Sequence, residues 1–263
     1  MRRLYFGIAL LIALGMGVAD AAAQATTRIT VRVVARDAKI IGSGVGGARV
    51  TVVNAESGAI LAEGLHDGGT GDTRLIMQTA RTRGRSIYDT EGAAGFIAEL
   101  EITEPTIVVI SAAGPLGYPQ AVQTASKQML VLPGRHIEGD GVVLELHGFI
   151  VEILSPEPLT PVADVFDVSV RVRGMCGCPI EPGGLWDANR KEFVARLKAD
   201  GEVVSSSELE FAGRVSMFRG RVAVPESALG RDLTLEVLVS DPGAGNFGRH
   251  EIPVAGGSVA GSR

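Results

Sequence analysis

The sequence is poor in cysteine and in aromatic residues. Only two of its 263 residues are cysteine, and 5% are Phe, Trp or Tyr. Two cysteines cannot build the disulfide framework of a small secreted domain, and so few aromatic rings do not provide a stacking platform for carbohydrate. Hydrophobic residues make up 46% of the chain, which is enough for one large core or two smaller ones.

Positive charge is also scarce. The formal net charge is -5, from 25 Lys and Arg against 30 Asp and Glu. A chain of this balance has no overall basic field for nucleic acid or for an anionic lipid surface. We therefore expect no nucleic-acid partner.

Long hydrophobic runs are confined to the first 25 residues. Arg2 and Arg3 precede an apolar run over residues 4–18, and a small-residue stretch follows over 19–25. This order is typical of a cleavable secretory signal peptide, and the run is short for a bilayer span. We expect cleavage after Ala23 or Ala25, a periplasmic or secreted product, and no transmembrane segment in the mature chain.

Sequence motifs of hydrolytic enzymes are missing. No G-x-S-x-G stands in the sequence, and its four histidines show no H-x-H or H-E-x-x-H spacing. We therefore expect a non-enzymatic protein, with redox or hydrolase activity left open.

Short stretches of alternating apolar and polar residues dominate the rest of the chain. A period of two predicts half-buried strands, and clusters of Gly, Asn, Asp and Ser between them predict turns. In the first part of the chain the predicted strands cover 27–36, 48–53, 59–62, 95–102, 105–111, 128–132 and 142–154. Strands at this spacing favour an antiparallel β-sandwich over residues 26–154.

A second series of strands follows a proline-rich segment. Residues 155–161 contain three prolines and are predicted to be a linker, because proline disfavours a central strand. The second series covers 165–173, 192–197, 203–209, 216–224, 233–239 and 250–254, with a hairpin turn at Asp200 and Gly201. The predicted fold is therefore all-β, with two tandem antiparallel β-sandwiches, the second over residues 162–255, and a flexible tail at 256–263.

Two resemblances accompany this pattern. Residues 46–64 (GGARVTVVNAESGAILAEG) and the loop 66–69 (HDGG) resemble the opening hairpin of carboxypeptidase regulatory-like, or transthyretin-like, domains. The chain departs from that family over residues 70–92, where a longer Arg-rich insert stands. Residues 237–248 (VLVSDPGAGNFG) are similar to the last hairpin of bacterial immunoglobulin-like modules. Both resemblances imply non-catalytic accessory or interaction modules, and neither carries over a catalytic residue.

Both cysteines stand in one short motif, Cys176-Gly177-Cys178. A disulfide between them closes so short a loop that it contributes under about 2 kcal/mol on the chain-entropy model. The motif is compatible with three interpretations: a disulfide that shapes a loop, a dithiol redox centre, and a soft-metal site for copper. The motif directly follows the predicted strand 165–173, and we expect the loop that contains it to be exposed. The copper site would use Cys176, Cys178 and the residues Met175, Met217 and His250.

An interaction patch is a further expectation. The insert carries four arginines within thirteen residues, suited to a negatively charged partner. The patch is predicted to comprise Arg74, Arg81, Arg83, Arg85, Tyr118 and Trp186. The leading hypothesis for function is an accessory or protein-interaction module of an envelope assembly. The alternative is a copper-handling or thiol-redox accessory protein that uses the Cys176-Gly177-Cys178 motif.

Overall fold

The computed structural model describes residues 26–256, and the predicted signal peptide and residues 257–263 of the predicted tail lie outside this range. Sixteen strands and one short helix form the described chain. They are β1 Thr27–Ala35, β2 Ala48–Asn54, β3 Ile60–His66, α1 Thr73–Met77, β4 Phe96–Leu100, β5 Thr106–Gly114, β6 Gln123–Val131, β7 Ile137–Leu146, β8 Phe149–Ser155, β9 Pro161–Val162, β10 Val165–Gly174, β11 Glu192–Ala199, β12 Glu202–Glu208, β13 Glu210–Phe211, β14 Met217–Ala223, β15 Leu233–Asp241 and β16 Asn246–Gly256. No helix among these residues is long and apolar enough to cross a membrane.

The strands form four sheets that enclose two main apolar cores. The orders β4-β1-β7 and β3-β2-β5-β6 belong to the first half of the chain, and β13-β14-β10-β8 and β12-β11-β15-β16-β9 belong to the second. Inward-facing residues of each pair of sheets, such as Val31 and Val50 in the first and Val170 and Leu235 in the second, are fully buried. The predicted all-β sandwich fold is therefore confirmed.

Two strand pairs depart from the expected antiparallel pattern. β1 pairs with β7 in parallel, and β16 pairs with the two-residue β9 in parallel. Parallel neighbours require a long connection between them. In the first half this connection is the entire run from β2 to β6, so the first and last strands of the half close one sheet together.

The strand predicted over residues 142–154 is divided in two. β7 ends at Leu146 and pairs with β1, whereas β8 begins at Phe149 and pairs with β10. Gly148 lies at the break with φ 150°, and its amide and carbonyl bond to the side chain of Asn246 instead of to a neighbouring strand. The chain thus passes from the first pair of sheets to the second at His147 and Gly148. Of residues 155–161, predicted to be the linker, Ser155 ends β8 and Pro161 begins β9, so the segment lies within the second half of the chain.

The Arg-rich insert is folded against the outer face of the first sandwich. It contains α1, and its Ile76 and Tyr88 form a small third core with Val34, Ile40 and Ala94. The guanidinium of Arg32, on the outer face of β1, is buried beneath it, donates to the carbonyls of Ala93 and Ala94, and pairs with Asp89 at 2.8 Å. The Arg-rich insert therefore covers the outer face of the β4-β1-β7 sheet.

Candidate functional site

Cys176 and Cys178 form a disulfide bond with their Cα atoms 5.2 Å apart. Gly177 between them has φ 78°, a left-handed conformation that glycine adopts without a steric penalty. Its amide donates to the carbonyl of Gly174 at 2.8 Å, and the amide of Gly174 donates to the carbonyl of Cys178 at 3.0 Å. The structure thus contains a disulfide that shapes a turn, which is the first interpretation of the motif and is also the oxidised form of the second, a dithiol redox centre.

The expectation that this turn is exposed is wrong. Met175, Cys176 and Cys178 are only 0%, 5% and 3% exposed, and all three belong to the core of the first sandwich although β10 belongs to the second. The cause is topological. Phe149 is the first residue after the chain crosses between the halves. β10 ends at Gly174, which pairs with Phe149, and the turn that follows β10 therefore packs against the first sandwich.

Of the other predicted copper ligands, Met175 lies in the turn itself, whereas Met217 and His250 lie on the separate strands β14 and β16. The Nδ1 atom of His250 accepts a hydrogen bond from the amide of Ile153. Ile153 is four residues along β8 from Phe149, the residue that pairs with Gly174 next to the disulfide turn. Burial lowers the pKa of His250, and the charge of Glu152 opposes that shift in part. Met217 lines a groove with Gly177, but both sulfur atoms are already bonded to each other. Between residues 26 and 256 no three His, Cys, Asp or Glu side chains are grouped to hold a metal ion.

The two aromatic residues of the predicted patch make contacts within the chain. The indole nitrogen of Trp186 donates to the carbonyl of Asp37 at 3.1 Å, and the ring packs against both main cores. The guanidinium of Arg173 donates to the hydroxyl of Tyr118 at 2.6 Å. Tyr118 and Trp186 therefore join the two halves.

The four arginines of the insert lie elsewhere. Arg74, Arg81, Arg83 and Arg85 are exposed, and among them Arg81 donates to the hydroxyl of Tyr88 at 3.2 Å. The insert that carries them is held on the outer face of the β4-β1-β7 sheet. The structure does not unite these arginines with Tyr118 and Trp186 in one patch.

A different group of arginines surrounds the disulfide turn. Arg171, Arg173 and Arg214 line a groove of about 290 Å³ together with Gly177, Pro179, Val215, Ser216 and Met217. Arg173 is held by Glu152 at 2.9 Å and by Tyr118, and although burial disfavours its charge, these bonds raise its pKa. Arg171 is 3.8 Å from the same carboxylate. Arg214 has no ion pair within the described chain.

This groove continues along the outer face of the β13-β14-β10-β8 sheet. The adjoining space, about 800 Å³, shares Arg214 and Met217 with it and extends to the residues Asp167, Ser169, Glu208, Glu210, Arg219 and Arg221. We call the combined space the charged trough, and the part around Arg171, Arg173 and Arg214 its basic end. The trough is open to solvent and holds side chains of both charges.

Comparison with known proteins assigns no family. No family model and no curated protein matches the chain. Among solved structures, an engineered protein determined by crystallography aligns with 46% of this chain and 22% of its own, at 17% identity and a TM-score of 0.30. The resemblances to carboxypeptidase regulatory-like and immunoglobulin-like domains therefore stay predictions.

Pattern reading missed the trough, although a signal for it is present in the sequence. Arg171 and Arg173 on β10, and Arg219 and Arg221 on β14, are each spaced by two residues, which places each pair on one face of its strand. The pairing of β10 with β14 brings these faces together, with Ser169 opposite Arg219 and Arg171 opposite Met217. Strand pairing is the information that the sequence alone did not provide.

A second opening lies at the junction of the halves. It has a volume of about 400 Å³ and is lined by Gln120 and Gln123 on one side and by β15 and β16 residues, among them Leu238, Phe247 and Arg249, on the other. Its lining contains a single charged side chain. The charged trough therefore has the more specific chemistry.

Proposed function

We propose that this protein is a non-catalytic protein-binding module, exported to the periplasm or secreted, that acts as an accessory component of an envelope assembly. The observation that carries the proposal is the charged trough on the second sandwich. Its lining combines guanidinium groups, carboxylates and the half-buried side chain of Met217. Arg and Met are enriched at protein interfaces, and a charged trough with a few apolar positions, among them Met217 and Val215, suits a segment of a partner chain.

The support beneath the trough also favours a binding module. β10 and β14, which form its floor, turn fully buried Val168, Val170, Val172 and Val222 into the second core. The disulfide turn at its basic end is packed into the first core. A site whose floor and wall are set by two cores keeps its backbone in position before the partner arrives, which reduces the entropic cost of binding.

No observation favours the copper-handling or thiol-redox alternative as a second function. Soft-metal binding requires free thiolates, and thiol–disulfide exchange requires that an attacking thiolate reach the sulfur atoms. The sulfur atoms of Cys176 and Cys178 are bonded to each other and buried.

Site-specific photocrosslinking in the producing cells tests the proposal. A photoreactive amino acid replaces Ser169 or Arg219 in the trough, and in a matched control it replaces Thr234 on β15, which lies in the opposite sheet. We expect one crosslinked product of the same mass from both trough positions and none from the control. The absence of any product from the trough, or equal products from all three positions, would contradict the proposal. Detection of the chain only in the cytoplasm would contradict the export part.

A further inference from the structure

From the charge distribution along the trough we infer that its basic end binds carboxylate groups of an extended segment of the partner protein. This inference rests on the proposed function and names the chemistry of the partner. The bound carboxylate would lie between Arg171 and Arg214, beside the disulfide turn.

The two ends of the trough differ in charge. At the basic end, Arg171, Arg173 and Arg214 face one carboxylate, that of Glu152, which leaves two positive charges in excess. At the other end, Arg219 and Arg221 stand among three carboxylates, those of Asp167, Glu208 and Glu210. The excess of positive charge is therefore local, within a protein whose net charge is -5.

Two of the three guanidinium groups at the basic end have donors to spare. Arg173 is occupied by Glu152 and Tyr118. Arg171 makes only the 3.8 Å contact with Glu152, and its side chain is 42% exposed. Arg214 is exposed and has no ion pair with any residue of the described chain. A guanidinium presents paired N–H donors that match the two oxygens of a carboxylate, so Arg171 and Arg214 can each bind one in bidentate geometry.

The carboxylates at the far end determine the class of partner. A uniform polyanion, such as a sulfated polysaccharide or a phosphate-rich lipid surface, would be attracted by the basic end, but Asp167, Glu208 and Glu210 would repel it and cancel the gain. A protein segment avoids this repulsion because its charge changes from residue to residue. From Arg173 to Asp167 the trough follows six steps of β10, roughly 20 Å at about 3.3 Å per residue, which matches about six residues of extended chain.

The inference also gives the disulfide a role. Gly177 and Pro179 form part of the wall of the basic end, and the Cys176–Cys178 bond holds this turn against the first core. The bond thus positions one wall of the binding site.

Binding of defined probes to the mature protein tests the inference. The probe is a fluorescently labelled eight-residue peptide with three Glu at one end and Ser and Thr elsewhere, and the measurement is anisotropy at two ionic strengths. We expect saturable binding that weakens with salt, and binding at least 10-fold weaker for the double variant Arg171→Gln/Arg214→Gln. The matched control Arg83→Gln/Arg85→Gln removes the same charge from the insert and should bind as the unmodified protein does.

Two further probes distinguish the class of ligand. A peptide with Lys in place of Glu should not bind, and heparin should bind the unmodified protein no better than it binds the Arg171→Gln/Arg214→Gln variant. Heparin that displaces the acidic peptide and binds more tightly would overturn the choice of a protein segment. Equal binding of the acidic peptide to both double variants, or no binding to the unmodified protein, would overturn the inference itself.

The outcome is separable from that of the proposed function. Should the photocrosslinked partner be captured equally by the unmodified protein and by Arg171→Gln/Arg214→Gln, the trough still binds a protein but the carboxylate chemistry is wrong. Should no partner crosslink to the trough, the proposed function is wrong, and the inference that rests on it is wrong as well. Circular dichroism of the double variant verifies that it folds.

Discussion

The indole nitrogen of Trp186 donates a hydrogen bond to the backbone carbonyl of Asp37, 149 residues away in sequence, at 3.1 Å. Trp186 belongs to the second half of the chain and Asp37 to a turn after β1 of the first. The ring packs on both cores, so this one side chain couples the two sandwiches. Trp186 is also the single tryptophan of the sequence, and its fluorescence therefore reports on the junction.

Substitution of Trp186 is expected to weaken this coupling in two steps. Trp186→Phe keeps an aromatic ring but loses the donor, and should lower the free energy of unfolding by about 1 kcal/mol. Trp186→Ala also loses the packing, and should lower it by about 3 kcal/mol. Denaturation followed by far-UV circular dichroism measures both. Leu185→Ala is the control, because Leu185 is 46% exposed and its truncation should change stability by less than about 0.5 kcal/mol. A Trp186→Ala variant as stable as this control would show that the junction is not coupled through the ring.

The disulfide turn contacts the first sandwich through Gly177. A Cβ at Gly177, which has φ 78°, would lie 3.0 Å from Cγ1 of Val45, whereas a Cβ at Gly183, with φ 72°, would meet nothing within 4 Å. Gly177→Ala and Gly183→Ala should each lower the free energy of unfolding by about 1 kcal/mol, because alanine is strained in the left-handed conformation. Gly177→Ala should lower the free energy of unfolding further, because its added methyl group lies too close to Val45. This additional loss should be smaller in a Val45→Ala background. A double-mutant cycle measures the coupling, and strictly additive effects would contradict the contact.

Burial should also protect the Cys176–Cys178 bond from reagents. In the folded protein we expect no reaction with a thiol-specific alkylating reagent after brief exposure to a phosphine reductant, and full alkylation of both cysteines after the same treatment in guanidinium. Mass spectrometry counts the alkylated sites. The Cys176→Ser/Cys178→Ser variant sets the background. Rapid reduction of the folded protein, followed by uptake of Cu(I), would instead support the copper or thiol-redox alternative.

The period of two in the sequence was enough to predict the fold class and most strands. The predicted strand 165–173, for example, alternates from Phe166 to Arg173 and corresponds to β10, Val165–Gly174. The prediction failed where local pattern carries little information. Residues 142–154 are rich in apolar residues on both sides of Gly148, so the pattern showed no break there. The polar groups of Gly148 bond to the side chain of Asn246, about 100 positions away, where β7 and β8 separate.

The candidate site was predictable only in part. The proximity of Cys176 and Cys178 implied either a local disulfide or a joint ligand set, but burial of the turn depends on the crossing between the halves at His147 and Gly148. Arg214 joins Arg171 because β14 pairs with β10, and no spacing in the sequence encodes that pairing. Tyr118 and Trp186 were predicted to belong to an interaction patch, whereas they contact the other half of the same chain.

His66 should make stability depend on pH. Its side chain is fully buried, and burial first, then the charge of Arg32, lower its pKa from 6.5 to about 4. The neutral ring accepts from the amide of Val33 at 3.0 Å. Because the folded-state pKa lies below the unfolded value, stability is unaffected above pH 6.5 and decreases as the pH falls towards 4, by up to about 3 kcal/mol.

The variant His66→Gln retains an acceptor but cannot be protonated in this range. Its stability relative to the unmodified protein should therefore improve steadily between pH 6.5 and 4, as measured by chemical denaturation at several pH values. His136→Gln, which makes the same replacement at an exposed histidine, is the control. A constant difference between His66→Gln and the unmodified protein across this range would contradict the expected protonation.

The last prediction concerns the insert, which Asp140 anchors to the first sandwich. The carboxylate of Asp140 accepts from the hydroxyl of Ser86 and from the amides of Ile87, Tyr88 and Asp89. Burial opposes its ionisation, but these four donors lower its pKa below the usual range. The anchor is therefore present above the unfolded-state pKa of about 4 and is lost as the pH falls through the lower folded-state pKa.

Asp140→Asn is expected to loosen the insert at neutral pH, because four donors bond to one carboxylate oxygen and a neutral amide oxygen accepts them more weakly than the charged one. The exposed Arg81, Arg83 and Arg85 then become better sites for trypsin. A loss of about 1.4 kcal/mol in the free energy of local opening corresponds to roughly 10-fold faster cleavage. Glu91→Gln, an exposed residue of the same insert, provides the matched control and should be cleaved at the original rate. Equal cleavage rates for the two variants would show that the insert is held by Arg32 and its own small core without help from Asp140.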